Sequence, residues 1–159
     1  LRWAVAKFKF TLEKVLSHRK ILENLAQRDF QEALAVLHAE NAKLEAMERQ
    51  KHEAFENRFQ REVQGGPAAE ALTQVHEYIK GQDVRIERQR KKIQEIEKQV
   101  EELRDILRQK AVDTKIIEGL RDRKQEEFRL EQKKLEQKKL DDTVSTRFAR
   151  GDESDENGI

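Results

Sequence analysis

Leu72 to Leu135 reads LTQVHEYIKGQDVRIERQRKKIQEIEKQVEELRDILRQKAVDTKIIEGLRDRKQEEFRLEQKKL. Taken by sevens it gives Leu72, Ile79, Ile86, Ile93, Val100, Leu107, Thr114, Arg121, Phe128 and Leu135, and eight of these ten are large and apolar. A second series passes through Val75, Ile96, Leu103 and Ile117, with Gln82, Gln89 and Lys110 between them. These are the a and d positions of a coiled coil, one narrow apolar seam along a long helix. No proline interrupts it. Such a seam cannot stay in water, so the helix requires a partner helix.

The residues upstream can supply one. From Leu12 the apolar spacing is again helical: Leu12, Leu16, Leu22, Leu25, Phe30, Leu34, Leu37, Leu44, Met47, Phe55 and Phe59. This seam wanders between adjacent heptad positions, with Asn41, Glu48 and Lys51 on or near it. Thr11 is the expected N-cap, its hydroxyl accepting from a first-turn amide, and Phe10 can pack on Val15 as a hydrophobic staple. Gln64-Gly65-Gly66-Pro67 is the clearest punctuation in the chain. Glycine at a helix C-terminus takes the left-handed conformation that ends it, and proline suits the first turn of the next helix.

Two long amphipathic helices joined by so short a loop fold back and bury each other's seams. The expected fold is all-α, an antiparallel two-helix coiled-coil hairpin with a longer C-terminal helix. Its boundaries are a lead-in over 1–11, helix one over 12–63, a loop over 64–67, helix two over 68–150 and a disordered acidic tail over 151–159. Paired positions add to about 131 in this fold. Phe59 then faces Leu72, Leu37 faces Ile93, Phe30 faces Val100, and Leu12 lies near Gly119. The second helix overhangs the first from about residue 120, by about 30 residues. Gly81 and Gly119 each cost the second helix about 1 kcal/mol relative to alanine. They are either tolerated or mark a close approach or a bend.

Composition agrees with long helices. Charged residues make up 41% of the 159, aromatic residues only 6%, and the mean hydropathy is -0.98. This is too little apolar content for a wide core, and the sustained heptad distinguishes it from a disordered tract. The net charge of +1, from 33 basic and 32 acidic residues, argues against a dedicated nucleic-acid binder. The charge is uneven, however. Residues 1–20 hold six basic groups and one acid, and the last nine residues hold four acids and no base. With no cysteine, disulfides and thiolate metal sites are excluded, and a reducing compartment fits. No stretch approaches the roughly 18 apolar residues of a membrane span, and the apolar run at the start is too short for a secretory signal. The expected location is cytoplasmic.

Catalytic patterns are missing. His18, His38, His52 and His76 are isolated, and none has a second histidine four residues on. Gly65-Gly66-Pro67 lacks the spacing and the lysine of a phosphate loop. The carboxylates lie along a solvated face, with no dry pocket to tune a pair for acid–base work. The expectation is a protein that is not an enzyme, binds no cofactor or metal, and acts through its surfaces. Tyr78, the only tyrosine, lies one residue before the seam position Ile79, and Phe55 falls on or beside the seam of the first helix.

Phe8-Lys9-Phe10-Thr11-Leu12-Glu13-Lys14-Val15-Leu16, followed by Arg19-Lys20-Ile21-Leu22-Glu23, resembles the start of the flagellar FliJ family. The Gly-Gly break between two long helices resembles it too. So do Ile117-Glu118-Gly119-Leu120, Arg123, Glu126-Glu127-Phe128, Glu136-Gln137-Lys138-Lys139-Leu140-Asp141-Asp142 and Arg147-Phe148, and the resemblance covers about residues 7–150. It implies a non-enzymatic component of the flagellar type III protein-export apparatus. In the family an antiparallel coiled coil, similar to the central stalk of rotary ATPases, inserts its paired ends into the hexameric export ATPase and stimulates it. The implied partners are that ATPase, the cytoplasmic part of the export-gate membrane protein, and substrate chaperones. The implied location is the cytoplasmic face of the inner membrane. Tyr78 matches the aromatic residue of the family's gate-binding region, and Gln82, Arg85 and Gln89 continue that face, more polar than the family pattern. Arg121, Arg123, Lys124, Arg129, Lys133 and Lys138 are the charged residues expected to meet the ATPase. Two other readings share the architecture: a purely structural homodimeric coiled coil, and the analogous stalk of a virulence type III secretion system.

Overall fold

The structure is a computed structural model that describes residues 7–65 and 69–155, with side chains through Phe148. Two helices, α1 (Glu13–Val63) and α2 (Ala69–Asp155), make up almost all of it, and no strand occurs among the described residues. The chain divides into two compact units. One holds Ile21–Ala111 and the interhelical loop; the other holds Leu1–Lys20 with Val112–Ile159. They are called below the loop unit and the terminal unit.

The start of α1 differs from the expected cap. The amide of Glu13 donates to the carbonyl of Phe10 at 3.3 Å, and that of Leu16 to Leu12 at 2.9 Å. The backbone turn closes the first helical turn by itself, so the Thr11 hydroxyl makes no hydrogen bond among the described residues. Glu13 sits in the first turn, where its negative charge meets the positive end of the helix dipole. At the other end the Gln64 amide still reaches the Gln60 carbonyl, and Gly65 adopts φ +103°. This is the left-handed terminus expected of a glycine just past a helix. Gly66 and Pro67, also expected in the loop, lie outside the described residues.

In both units the helices pair antiparallel. In the loop unit Glu40 meets Lys92 and Gln50 meets Gln82; in the terminal unit Arg19 meets Asp113, and in all three pairs the residue numbers add to 132. Other cross-helix pairs add to between 129 and 138, as for Glu40 with Gln89 and Glu48 with Arg90, so the observed register lies within a few residues of the expected one. The α2 seam is covered by α1 of the same chain, so the long heptad does not need a second copy to bury it. Ala26, Ile86, Ile93 and Val100 are buried in the loop unit and Leu16 in the terminal unit.

The α1 seam is stricter than its apolar residues suggest. Steps of three and four pass through Leu12, Leu16, Arg19, Glu23, Ala26, Phe30, Ala33, Leu37, Glu40, Leu44, Met47, Lys51, Ala54 and Arg58, and none of these is exposed. Phe55 and Phe59 fall one residue outside this path and are 53% and 56% exposed. The expected pairing of Phe59 with Leu72 is thus corrected: continuing the heptad puts Ala54 and Arg58, not the two phenylalanines, on the seam. Phe30 is half-buried as expected, and the Arg104 guanidinium lies 5.9 Å from its ring centre.

A Cβ added at Gly81 or Gly119 would meet nothing within 4 Å, so neither glycine marks a close approach. The end of α2 lies beyond the expected 150, at Asp155. Residues 151–155, expected in the acidic tail, belong to α2. Residues 156–159 and the expected lead-in up to Ala6 lie outside the described residues.

Ile93→Ala, at a buried seam position, is expected to lower unfolding free energy by about 2–5 kcal/mol. Val36→Ala, on an exposed face, should stay within about 0.5 kcal/mol. Gly81→Ala should add about 1 kcal/mol. Urea unfolding followed by circular dichroism checks all three.

Candidate interaction surfaces

The four residues expected on one gate-binding face divide into two pairs. Tyr78 and Arg85, seven apart at the edge of the seam, are exposed, Tyr78 by 45%. Gln82 and Gln89 occupy the d positions and are 3% and 9% exposed. This corrects the expectation for Gln82 and Gln89. Four residues on from the edge, the helix has turned them beneath α1, where they cannot meet an external partner. Gln82 Nε2 donates to the Tyr78 hydroxyl at 2.7 Å and reaches Gln50 Oε1 at 3.5 Å. Gln82 therefore holds Tyr78 in place from below.

Gln89 belongs to a polar cluster that crosses the seam. Its Nε2 donates to Glu40 Oε2 at 2.7 Å and to the Glu40 carbonyl at 2.9 Å. Glu40 itself is 6% exposed, and its Oε1 accepts from Lys43 Nζ at 2.8 Å and Lys92 Nζ at 3.1 Å. The hydrogen bonds from Lys43, Gln89 and Lys92, in that order, pull its pKa down to about 2 against the opposing effect of burial. Sequence reasoning missed Glu40. The signal was present in the spacing of Leu37, Glu40 and Leu44, but an apolar count passes over a carboxylate.

Phe55, with His52, Asp83 and Ile86, lines an open groove on one flank of the loop unit, where Lys51 pairs with Asp83 and Arg90 with Glu48. Tyr78 lines a different groove, with Ala54, Asn57, Arg58, Arg61 and Val75. The two aromatic residues singled out in the sequence thus serve separate surfaces.

In the terminal unit Phe8 packs on Phe128, ring centres 5.8 Å apart and tilted by 51°. Phe8, Phe10, Leu12, Leu120 and Phe128 form an aromatic groove rimmed by Lys9, Lys124, Glu127 and Glu131. The segment before α1 thus accompanies α2 to about Phe128, eight residues past the expected start of the overhang. Beyond it the heptad fades: Leu135 still takes an a position, but Glu131, Lys138 and Asp142 take the other a and d positions. Between Arg129 and Phe148 only Gln132 is not exposed, and Leu130, Leu135, Leu140, Val144 and Phe148 face solvent.

The six expected ATPase-contact residues differ in availability. Arg129 is held by both Glu126 oxygens, at 2.6 and 2.8 Å, and Lys124 by Glu127 at 2.8 Å. The Glu127 hydrogen bond raises the Lys124 pKa, and that of Glu126 raises the Arg129 pKa. Arg121 lies 3.5 Å from Asp122, and Arg123 donates to the Gly119 carbonyl at 3.3 Å. Lys133 and Lys138 are exposed, and the Lys133 charge also acts on Glu126, whose pKa is lowered first by its hydrogen bond from Arg129.

No group of histidine and carboxylate side chains that could hold a metal ion occurs among the described residues. No described helix is long and apolar enough to cross a membrane. The family model described as flagellar FliJ protein matches residues 8–153. No curated protein matches the chain significantly. A solved structure from Chlamydia trachomatis, described as that of a YscO homolog, is 19% identical, covers 94% of each chain and has a TM-score of 0.37.

Glu40 gives the loop unit a specific pH dependence. Its pKa is 4.5 when unperturbed and about 2 in the fold. A lowered pKa stabilises the fold fully above the unfolded value, and that contribution is lost as pH falls from about 4.5 toward 2. Melting temperatures of the parent and of Glu40→Gln should therefore converge between about pH 6 and pH 2. A gap independent of pH would mean that the Glu40 charge contributes nothing.

Proposed function

The chain belongs to the FliJ family of flagellar proteins, components of type III protein export, and on that premise we propose that it is the non-enzymatic stalk of a hexameric export ATPase. The observation that carries this reading is the end of α2. After Phe128 the helix continues with Leu135 as its last apolar seam position, without an α1 partner and with both apolar and basic side chains in solvent. A helix whose seam has faded cannot bury itself on one neighbour. A ring that surrounds it can contact every face.

A stalk of this kind works by being unequal on its sides. Subunits closing around it meet different side chains, so they cannot all take one conformation, and the contacts bias each subunit between states. Lys133 and Lys138 are the basic residues best placed for such contacts. Lys124 and Arg129 are held by neighbouring acids and serve helix stability first. The aromatic groove of the terminal unit joins the segment before α1 to α2, so that both would enter the ring together.

The exposed pair Tyr78 and Arg85 is proposed to meet the cytoplasmic part of the export-gate protein, with Gln82 as the residue that orients the tyrosine. A ring whose hydroxyl is already held loses less freedom on binding. Substrate chaperones would use the remaining surface, at the cytoplasmic face of the inner membrane.

ATP hydrolysis by the cognate export ATPase is the first test. The full chain should stimulate it, and a chain ending after Glu131, which keeps the contact of Phe8 with Phe128, should not. Equal stimulation by the shorter chain would remove 132–155 from the site. For the gate, Tyr78→Ala should weaken binding about tenfold or more with helicity unchanged, as at an aromatic anchor. Unchanged titration calorimetry would move the surface elsewhere.

A further inference from the structure

The last turns of α1 contain two competing seams, and the structure occupies only one. After Leu44 and Met47 the heptad continues through Lys51, Ala54 and Arg58, all half-buried. The same residues offer another path, through Lys51, Phe55, Phe59 and Glu62. It takes three successive steps of four, which is two stutters in succession, and these locally unwind a coiled coil.

Three observations show that the occupied path is poorly matched. It covers α2 with a lysine, an alanine and an arginine while leaving two phenylalanines more than half exposed. Lys51 reaches Asp83 and Arg58 reaches back to Glu62 on its own helix, so their charged ends are held at the edge of the seam. The apolar positions opposite, Leu72, Val75 and Ile79, are half-buried, as are Ile96, Leu103 and Leu107, whereas Ile86, Ile93 and Val100 of the same α2 seam are buried. The exposed phenylalanines lie between residues 51 and 63 of α1, beyond the point where Glu40 and Gln89 pair across the seam.

We infer that the loop end of this hairpin is a two-state element, in which α1 beyond Met47 rotates by one residue position to exchange Ala54 and Arg58 for Phe55 and Phe59 on the seam. In the heptad state the two rings face solvent. In the stuttered state they cover Leu72, Val75 and Ile79, and the arginine moves out to water. Local conflicts between pattern and packing of this kind mark places where a sequence supports more than one arrangement. The polar cluster at Glu40 keeps the change from travelling along the hairpin, because a slip there would leave a buried carboxylate without its partners. The exchange displays or hides an aromatic pair without unfolding either helix.

The test places p-cyanophenylalanine at position 55 or 59 of the full chain and reads the nitrile infrared band, which differs between water and an apolar contact. The parent chain should show two bands, and Ala54→Leu with Arg58→Leu, which makes the heptad seam apolar, should reduce them to the hydrated one. Circular dichroism of the double variant checks that both helices persist. A single band in the parent chain, at both positions, would overturn the inference without reference to any variant. Two bands in unchanged ratio in the folded double variant would overturn it as well.

Discussion

A single seam between two helices is the constraint on which everything else here depends. Each side chain on it is covered from one direction only. Even the best-placed residues, Leu16, Ile86, Ile93 and Val100, are isolated points of full burial rather than parts of a wide core. The hydrophobic effect scales with area removed from water, so a thin seam stabilises the pair in proportion to its length. A shortened seam loses stability gradually, and local changes in its composition are felt locally.

A continuous apolar seam would also be indifferent to register, because sliding by a heptad replaces one leucine or isoleucine with another. The polar interruptions remove that freedom. Across the seam Glu40 finds Gln89 and Lys92 in one alignment, and Gln82 finds Gln50. Displaced by seven residues in one direction, Glu40 would face Ile96 in place of Gln89 and lose that hydrogen bond. Buried polar groups in coiled coils set register in this way at some cost in stability. Thr114, buried in the terminal unit, is another small polar interruption in the α2 a series.

The functional surfaces follow from where the seam weakens. In the loop unit it turns polar at Lys51 and Arg58, which leaves Phe55 and Phe59 outside. In the terminal unit it fades after Phe128, and α2 continues with Leu135 as its last apolar seam position. A helix pair can present binding groups only where they are not needed to hold the pair together. A segment whose seam has faded is the extreme of that rule, and it suits a partner that encircles it.

Much of this was legible in the residues alone. The a and d series of α2, the break at Gly65 and the pairing sum follow from periodicity and turn chemistry, which are local properties of a chain. Membership of the FliJ family was legible too, in the opening Phe8-Lys9-Phe10-Thr11-Leu12 and the Glu136-Gln137-Lys138-Lys139-Leu140-Asp141 run. What tertiary structure decided was orientation about the helix axis. Whether Ala54 or Phe55 faces α2, whether Gln82 points out beside Tyr78 or in beneath it, and whether Glu40 is solvated or buried all turn on a rotation of one residue position. Hydropathy cannot set that angle, because the choice rests on specific hydrogen bonds and ion pairs with residues about 30 to 50 positions away in the chain. The sequence by itself determined that two helices must pair and where the chain turns; only the pairing decided which side chains were left for a partner.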